Sequence, residues 1–170
     1  MSDHLHDVIG VRAAPHPQPG RGRPRLFFED FTPGSAVTTA GPTVTKDDIV
    51  AFAREFDPQP FHVDPDAAKD SVFGGLIASG WHTGAMWMRL YVDSLLGGSA
   101  SMGSPGIEEL RWLAPVRPGD TLAGRLTVLE ATPSERRPDR GTVRIRGEMV
   151  NQDGVTVLSM VSRGHFGRRS

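Results

Sequence analysis

Apolar residues recur with a helical period over residues 45–56. They stand three and four positions apart, at Ile49, Phe52, Ala53 and Phe56. This spacing places them on one face of a helix. Thr45 and Asp48 have the spacing of a capping box at the start of that helix. Pro58 predicts the end of the helix, because a proline drives the preceding Asp57 out of the helical region.

Two further helices are indicated downstream. Asp64 is a candidate N-cap and Pro65 a favoured first residue, which together predict a very short helix. Residues 80–96 are apolar in nearly every helical direction, and their only charged residues are Arg89 and Asp93. A helix of this kind is buried on most sides.

The remaining sequence alternates with the period of a β-strand. Apolar residues share one face of residues 120–131 and one face of residues 142–150, and Asp153-Gly154 follows as a signal for a two-residue hairpin turn. With residues 107–116, the C-terminal part of the chain predicts four consecutive antiparallel strands, and residues 26–44 predict one or two more. The apolar helix is the only candidate to cover the inner face of this sheet, so we expect an α+β fold in which a curved antiparallel sheet wraps a long central helix.

Composition narrows the class of protein. The chain has 170 residues, which indicates one domain. Its net charge of −1 gives no basic surface for nucleic acid, and the absence of cysteine excludes thiolate chemistry. Four prolines and little apolar periodicity predict a flexible N-terminal arm at residues 1–25, ahead of a single domain at residues 26–170. No long apolar run or basic leader is present, so we expect a cytoplasmic protein without a membrane partner.

Candidate chemistry is concentrated in the segment DPQPFH, which is predicted to be a loop after the helix end and in which Asp57 and His62 lie five positions apart. Five extended residues span about 16 Å, so the two side chains share one water only if the segment turns back on itself. One interpretation is an acid–base pair, and another is a turn cap beside a structural histidine. A third makes His62 a metal ligand together with Asp64 and Asp66, although both aspartates are also suited to the start of a helix.

The small residues that precede the long helix offer a second kind of site. Gly80 follows Ser79 at the expected helix start, where the first backbone N–H groups are open to an acceptor and the helix dipole attracts negative charge. Gly80 is therefore a candidate donor to an oxyanion. Close packing of the helix against the sheet would require a glycine there equally well.

Several segments together resemble the MaoC-like dehydratases, which are related to the (R)-specific enoyl-CoA hydratases. The segments are FFEDFTPG, DIVAFAREFD, DPQPFHVDPDAAKDSVFGGLIASGWHT and LRWLAPVRPGDTL, and the resemblance covers roughly residues 26–166. It implies the hotdog fold, a long helix wrapped by an antiparallel sheet, and a homodimer or higher homo-oligomer.

The resemblance also implies roles for individual residues. The family motif D-x-N-P-x-H maps onto Asp57 and His62, which would hold and activate water, with Gln59 in the place of the asparagine. The glycine of the helix start maps onto Gly80, whose N–H would bind the thioester carbonyl oxygen, and Ser79 replaces the usual preceding histidine. Gln59 and Ser79 depart from the family pattern and are candidates for substrate binding.

The activity implied is that of a hydro-lyase, an enoyl-CoA hydratase or 3-hydroxyacyl-CoA dehydratase of fatty acid metabolism. It would add water reversibly to a 2-enoyl thioester, with an acyl-CoA as substrate and neither cofactor nor metal. A hotdog acyl-CoA thioesterase would use the same pocket but direct water at the carbonyl carbon. A non-catalytic acyl-thioester binding module is the alternative from outside the enzymes.

Overall fold

The computed structural model describes residues 25–169. The strands are β1 (Ala36–Thr43), β2 (Gly106–Trp112), β3 (Thr121–Pro133), β4 (Arg140–Val150) and β5 (Thr156–Gly167). The helices are α1 (Lys46–Phe56), α2 (Pro60–Val63), α3 (Pro65–Lys69) and α4 (Gly80–Ser94), with short 3-10 turns at Phe28–Asp30 and Leu96–Gly98. All strand pairs are antiparallel, and the order across the sheet is β1-β3-β4-β5-β2.

The inner face of the sheet packs on α4, as expected from the sequence. The helix contributes Met86, Trp87 and Leu90 to the core, and the strands contribute apolar residues such as Leu122 and Met149. Burial of these side chains, each contributing about 1.5–3 kcal/mol, holds the two layers together. The predicted α+β architecture is confirmed.

Local capping signals place the helix starts. Thr45 Oγ1 accepts the Asp48 N–H at 3.1 Å, and Asp48 Oδ2 accepts the Thr45 N–H at 3.2 Å, so the predicted capping box starts α1. Asp64 Oδ1 accepts the N–H groups of Asp66 and Ala67, as expected of the N-cap of α3. These contacts span at most three residues, which is why the sequence alone predicts them.

The segment at residues 26–44 forms one strand, β1, which lies at an edge of the sheet beside β3. Pro42 lies within β1. It is accommodated because an edge strand has one side without ladder hydrogen bonds, so the missing N–H need not break a pairing.

The hairpin between β4 and β5 is present, but the expectation of a two-residue turn is wrong. Asn151 N–H donates to Val155 O at 3.0 Å, so the loop contains three residues. Asn151 Oδ1 also accepts the N–H groups of Asp153 and Val155. Gly154 takes φ 76° at the end of this loop, where a left-handed residue closes a three-residue hairpin.

The N-terminal arm expected at residues 1–25 lies outside the described residues, except for Arg25. The Arg25 N–H donates to Gly98 O at 2.8 Å. In residues 25–169, no helix has the length and apolar character needed to cross a membrane.

Candidate active site

A one-turn helix brings His62 back toward Asp57. Asp57 caps the C-terminus of α1, with its N–H donating to Ala53 O at 2.9 Å. Gln59 is the extended N-cap of α2 and Pro60 its first residue, a position that suits the fixed φ of proline. The chain therefore reverses within the segment, and His62 Nε2 lies 3.4 Å from Asp57 Oδ2. The sequence-based interpretation of this segment as a loop is corrected, because its second half is helical.

The second nitrogen of His62 has a fixed partner. His62 Nδ1 lies 2.8 Å from the carbonyl oxygen of Ile77, and the residue is only 4% exposed. A carbonyl only accepts, so Nδ1 must carry the hydrogen. In the neutral ring, Nε2 then has a free lone pair directed toward Asp57.

Asp57 is held by two hydrogen bonds from side chains. Gln59 Nε2 donates to Oδ1 at 2.8 Å, and Ser79 Oγ donates to Oδ2 at 2.7 Å. Burial acts to raise the pKa of the Asp57 carboxyl, but the hydrogen bonds from Ser79 and Gln59, with the nearby His62, outweigh it and hold the pKa below its usual value. Asp57 is therefore a carboxylate at neutral pH.

Ser79 joins this pair to the start of α4. It is fully buried and is the N-cap, where its Oγ accepts the Trp81 N–H at 3.2 Å while donating to Asp57. Both partners of the hydroxyl lie within the protein, so the geometry supports a role in holding Asp57. The assignment of Ser79 and Gln59 to substrate binding stays a prediction.

Gly80 begins α4 next to this network. Its N–H donates to no acceptor within residues 25–169, which leaves it available at the positive end of the helix dipole. A Cβ at this position would lie 2.5 Å from the Trp112 ring. The structure thus supports both expectations for Gly80, an open N–H and close packing against the sheet.

A cavity of about 370 Å³ brings these groups together. Its wall contains all five residues predicted from the sequence: Asp57, Gln59, His62, Ser79 and Gly80. The lining also contains apolar residues, among them Phe73, Trp112, Leu113 and Val116. The volume is within the range of about 300–1,000 Å³ usual for small-molecule sites, and polar groups converging in an apolar cleft are typical of them.

Two groups that shape the site, the Ile77 carbonyl and the Trp112 side chain, are not predicted from the sequence. The Ile77 carbonyl orients His62, but a main-chain group leaves no signal in the sequence. Trp112 lies against Gly80, 32 positions earlier in the chain. Trp112 lies three positions before the turn PVRPGD, but nothing along the chain relates it to the helix start.

The metal interpretation of the HVDPD run is not supported. Asp64 is used as the cap of α3, and Asp66 Oδ1 forms an ion pair with Lys69 Nζ at 2.7 Å. Within residues 25–169, no group of three or more potential ligands is arranged to hold a metal ion.

An apolar surface adjoins the cavity. Trp81, Trp112 and Leu113 line the cavity yet are 60%, 46% and 55% exposed. The surface continues along α4 to Met88 and along β2 to Ile107, both also exposed. We call these five residues the apolar stripe. In the described part of the chain, β2 pairs only with β5 and so has one free edge beside the stripe.

Comparison with known proteins identifies the family. A family model described as the MaoC like domain matches residues 30–149. The chain belongs to the MaoC-like domain family. The resemblance seen in the sequence is therefore confirmed, and so is the hotdog fold that it implied.

Solved structures and curated relatives agree with this MaoC-like assignment. The crystal structure of a MaoC-like dehydratase from Rhodospirillum rubrum is 46% identical, with a TM-score of 0.77 over 85% of this chain and 99% of that chain. The uncharacterized protein YdeM of Bacillus subtilis is 34% identical over 78% of this chain and 93% of its own. The (R)-specific enoyl-CoA hydratase of R. rubrum is 31% identical over 78% of this chain and 90% of its own.

Proposed function

We propose that this MaoC-like protein is a hydratase that adds water reversibly to the double bond of a 2-enoyl thioester, an acyl-CoA, to give the 3-hydroxyacyl thioester. The observation that carries the proposal is the pairing of Asp57 Oδ2 and His62 Nε2 at 3.4 Å in a cavity that also contains Gly80. Relatives named (R)-specific enoyl-CoA hydratase and 3-hydroxybutyryl-CoA dehydratase support the same class of reaction.

The paired groups suit a bound water. With its Nδ1 hydrogen directed at Ile77 O, His62 in its neutral form presents a lone pair at Nε2, and ionised Asp57 presents another at Oδ2. Two acceptors that face each other are both satisfied by one water that donates a hydrogen to each. The lone pairs of that water then point away from the protein groups and toward the substrate.

The reaction follows from this placement. The water oxygen bonds to C3 of the enoyl group, and one water proton passes to Asp57 or His62. The electrons of the double bond move toward the thioester, whose oxygen becomes negative. The pair then delivers a proton to C2, so one molecule of water has been added and both catalytic groups return to their starting states.

Gly80 is suited to the charge that develops. The carbonyl oxygen gains negative charge only as the C3–O bond forms, so an N–H directed at it stabilises the transition state more than the bound substrate. Loss of one such donor costs about 2.7–4 kcal/mol of activation free energy in other enzymes. The dipole of α4 acts in the same direction at its N-terminus.

The test is turnover of a panel of enoyl-CoA thioesters, followed by loss of the conjugated double bond. D57N and H62A should each reduce kcat/KM by about 100-fold or more, the scale of acid–base contributions, and keep the parent circular dichroism spectrum. D66N and H165A are matched controls, because Asp66 pairs with Lys69 and His165 contacts Thr142, outside the cavity lining. Near-parent rates in D57N or H62A would refute the assignment.

The same assay separates the alternatives. Release of free CoA thiol without loss of the double bond would identify a thioesterase. Saturable binding of the thioesters without either reaction would identify a binding module. Both outcomes contradict the proposed hydration.

We also propose that a second copy of the chain covers the apolar stripe. Exposed contiguous apolar surface marks an interaction site, and the free edge of β2 offers unpaired backbone groups that an identical strand satisfies by two-fold antiparallel pairing. The cavity would then open beside the subunit interface. The expected cytoplasmic location stays a prediction.

A further inference from the structure

Trp112 makes an unusual contact with the backbone of the candidate site. It is the last residue of β2, and its Nε1–H donates to the Gly80 carbonyl oxygen at 2.7 Å. The ring also covers the Gly80 Cα, since a Cβ there would lie 2.5 Å from Cε2 and 2.7 Å from Nε1. Trp112 is 46% exposed, so general core packing does not explain why its indole is fixed on this residue.

The surrounding contacts restrict Gly80 from both sides. On one side, the Ser79 carbonyl accepts the Thr83 N–H at 3.1 Å, which orients the peptide group that carries the Gly80 N–H. On the other side, Trp112 holds the next carbonyl. The Trp81 ring meets Trp112 edge-on with ring centroids 5.3 Å apart, which restrains the indole itself.

We propose that Trp112 is a positioning residue for Gly80. Its indole ring leaves no space for a side chain at position 80, and its contact with Gly80 sets the direction of the Gly80 N–H. The kinetic part of this inference rests on the proposed hydratase function, whereas the packing part does not. Trp112 contacts Gly80 directly, and the inference is that it acts on the reaction through that N–H.

Direction matters because a donor to an oxyanion acts over a narrow range. It must lie about 2.7–3.1 Å from the position that the oxyanion takes in the transition state. A displacement of about 1 Å in a catalytic site is enough to reduce the rate about 100-fold. Removing the indole takes away one restraint on the first turn of α4, so kcat should fall while KM, which reflects the ground state, changes little.

The packing part is tested by a double-mutant cycle in thermal denaturation of the full chain. G80A should be strongly destabilising in the parent, because its methyl group overlaps the Trp112 ring. In the W112L background the overlap is gone, so adding G80A should lower the melting temperature by less than half as much. An equal decrease in both backgrounds would overturn the claim that Trp112 is what requires the glycine.

The kinetic part uses W112L and W112F with an enoyl-CoA substrate. W112L should lower kcat about 10- to 100-fold with KM within about threefold of the parent. W112F retains a ring over Gly80 but loses the N–H donor, so it should recover part of that loss. F27L is the control, since Phe27 is a half-buried ring packed on Arg169 outside the cavity lining.

A rise in KM at unchanged kcat would overturn the inference and make Trp112 a wall of the substrate pocket. If W112L fails to fold, W112F decides the question. A parent-like kcat in W112F would overturn the role of the indole hydrogen bond. If G80A is still severely destabilising in the W112F background, the packing part stands. Absence of hydration in the parent with every thioester would refute the proposed function, yet the denaturation cycle would still decide whether Trp112 requires glycine at position 80.

Discussion

Replacement of Ser79 by alanine tests how the helix start and the proposed acid–base pair, Asp57 and His62, depend on each other. The Ser79 hydroxyl caps α4 through the Trp81 N–H and donates to Asp57 Oδ2 at 2.7 Å. Loss of an N-cap side chain costs about 1 kcal/mol. A hydrogen bond to a charged group contributes about 1.5–3 kcal/mol, and we take the lower end because 22% of the Asp57 side chain remains exposed to water. S79A should therefore lower the free energy of unfolding by about 2–3 kcal/mol at neutral pH.

The pH dependence separates the two contributions. The pKa of Asp57 is lowered in the folded protein, and the Ser79 hydrogen bond is one cause. A carboxyl with a lowered folded pKa stabilises the protein above its unfolded pKa, and this stability is lost as pH falls through the folded pKa. S79A removes part of that contribution, so its destabilisation should be larger at neutral pH than in acid, where Asp57 is protonated in both states. The contribution of the helix cap to the free energy of unfolding is lost in S79A at both neutral and acidic pH.

Urea denaturation of the parent, S79A, D57N and S79A/D57N measures this coupling. In the D57N background S79A should cost mainly the cap, which gives a coupling free energy of about 1 kcal/mol or more. S94A is the matched control, because Ser94 lies in the same helix and donates to Leu90 O at 2.6 Å, far along the helix from Asp57. Additive costs in the cycle, together with a pH-independent effect of S79A, would refute the reasoning.

Three further predictions concern other parts of the molecule. Burial raises the pKa of Tyr91, the only tyrosine, to about 12. Ultraviolet titration should therefore show no ionisation near pH 10 while the protein is folded. The free energy of unfolding should fall as pH rises from about 10 to 12, because the tyrosine of the unfolded chain ionises first. M88K, which places a charge in the apolar stripe, should convert a dimer to a monomer in light scattering, and a monomeric parent would contradict the dimer. Deletion of residues 1–24 should leave the melting temperature and turnover close to those of the parent, and loss of either would show that this segment contributes to the domain.

The elements that the sequence predicts well depend on neighbours a few positions away. The capping box of Thr45 and Asp48, the N-cap at Asp64 and the alternation along β3 and β4 all lie within single elements. Short-range sterics and hydrogen bonds decide these features, so their signals are present in the local order of residues. Even so, Asp153-Gly154 alone predicts a two-residue loop between β4 and β5, whereas the loop has three residues because the Asn151 side chain accepts the N–H groups of Asp153 and Val155.

The candidate site was only partly accessible to sequence reasoning. The resemblance indicated Asp57, His62 and Gly80, but the spacing of the first two allowed a separation of about 16 Å as readily as a contact. The one-turn helix α2 decides between these possibilities and gives 3.4 Å. Its formation depends on Gln59 and Pro60 in combination with the packing of the following segment, where Ile77 O accepts the His62 Nδ1–H.

The sequence by itself determined the class of fold and most helix starts, and it indicated the residues proposed to carry the chemistry, since periodicity, capping and a family motif are properties of order along the chain. Only the tertiary structure decided which atoms face each other. Ser79 reaches Asp57 across 22 positions, and Trp112 reaches Gly80 across 32. Contacts of this range depend on how the sheet closes on α4, and the register of β2 against β5 places the Trp112 indole over the helix start. That register results from packing over the whole molecule, so no local pattern records it.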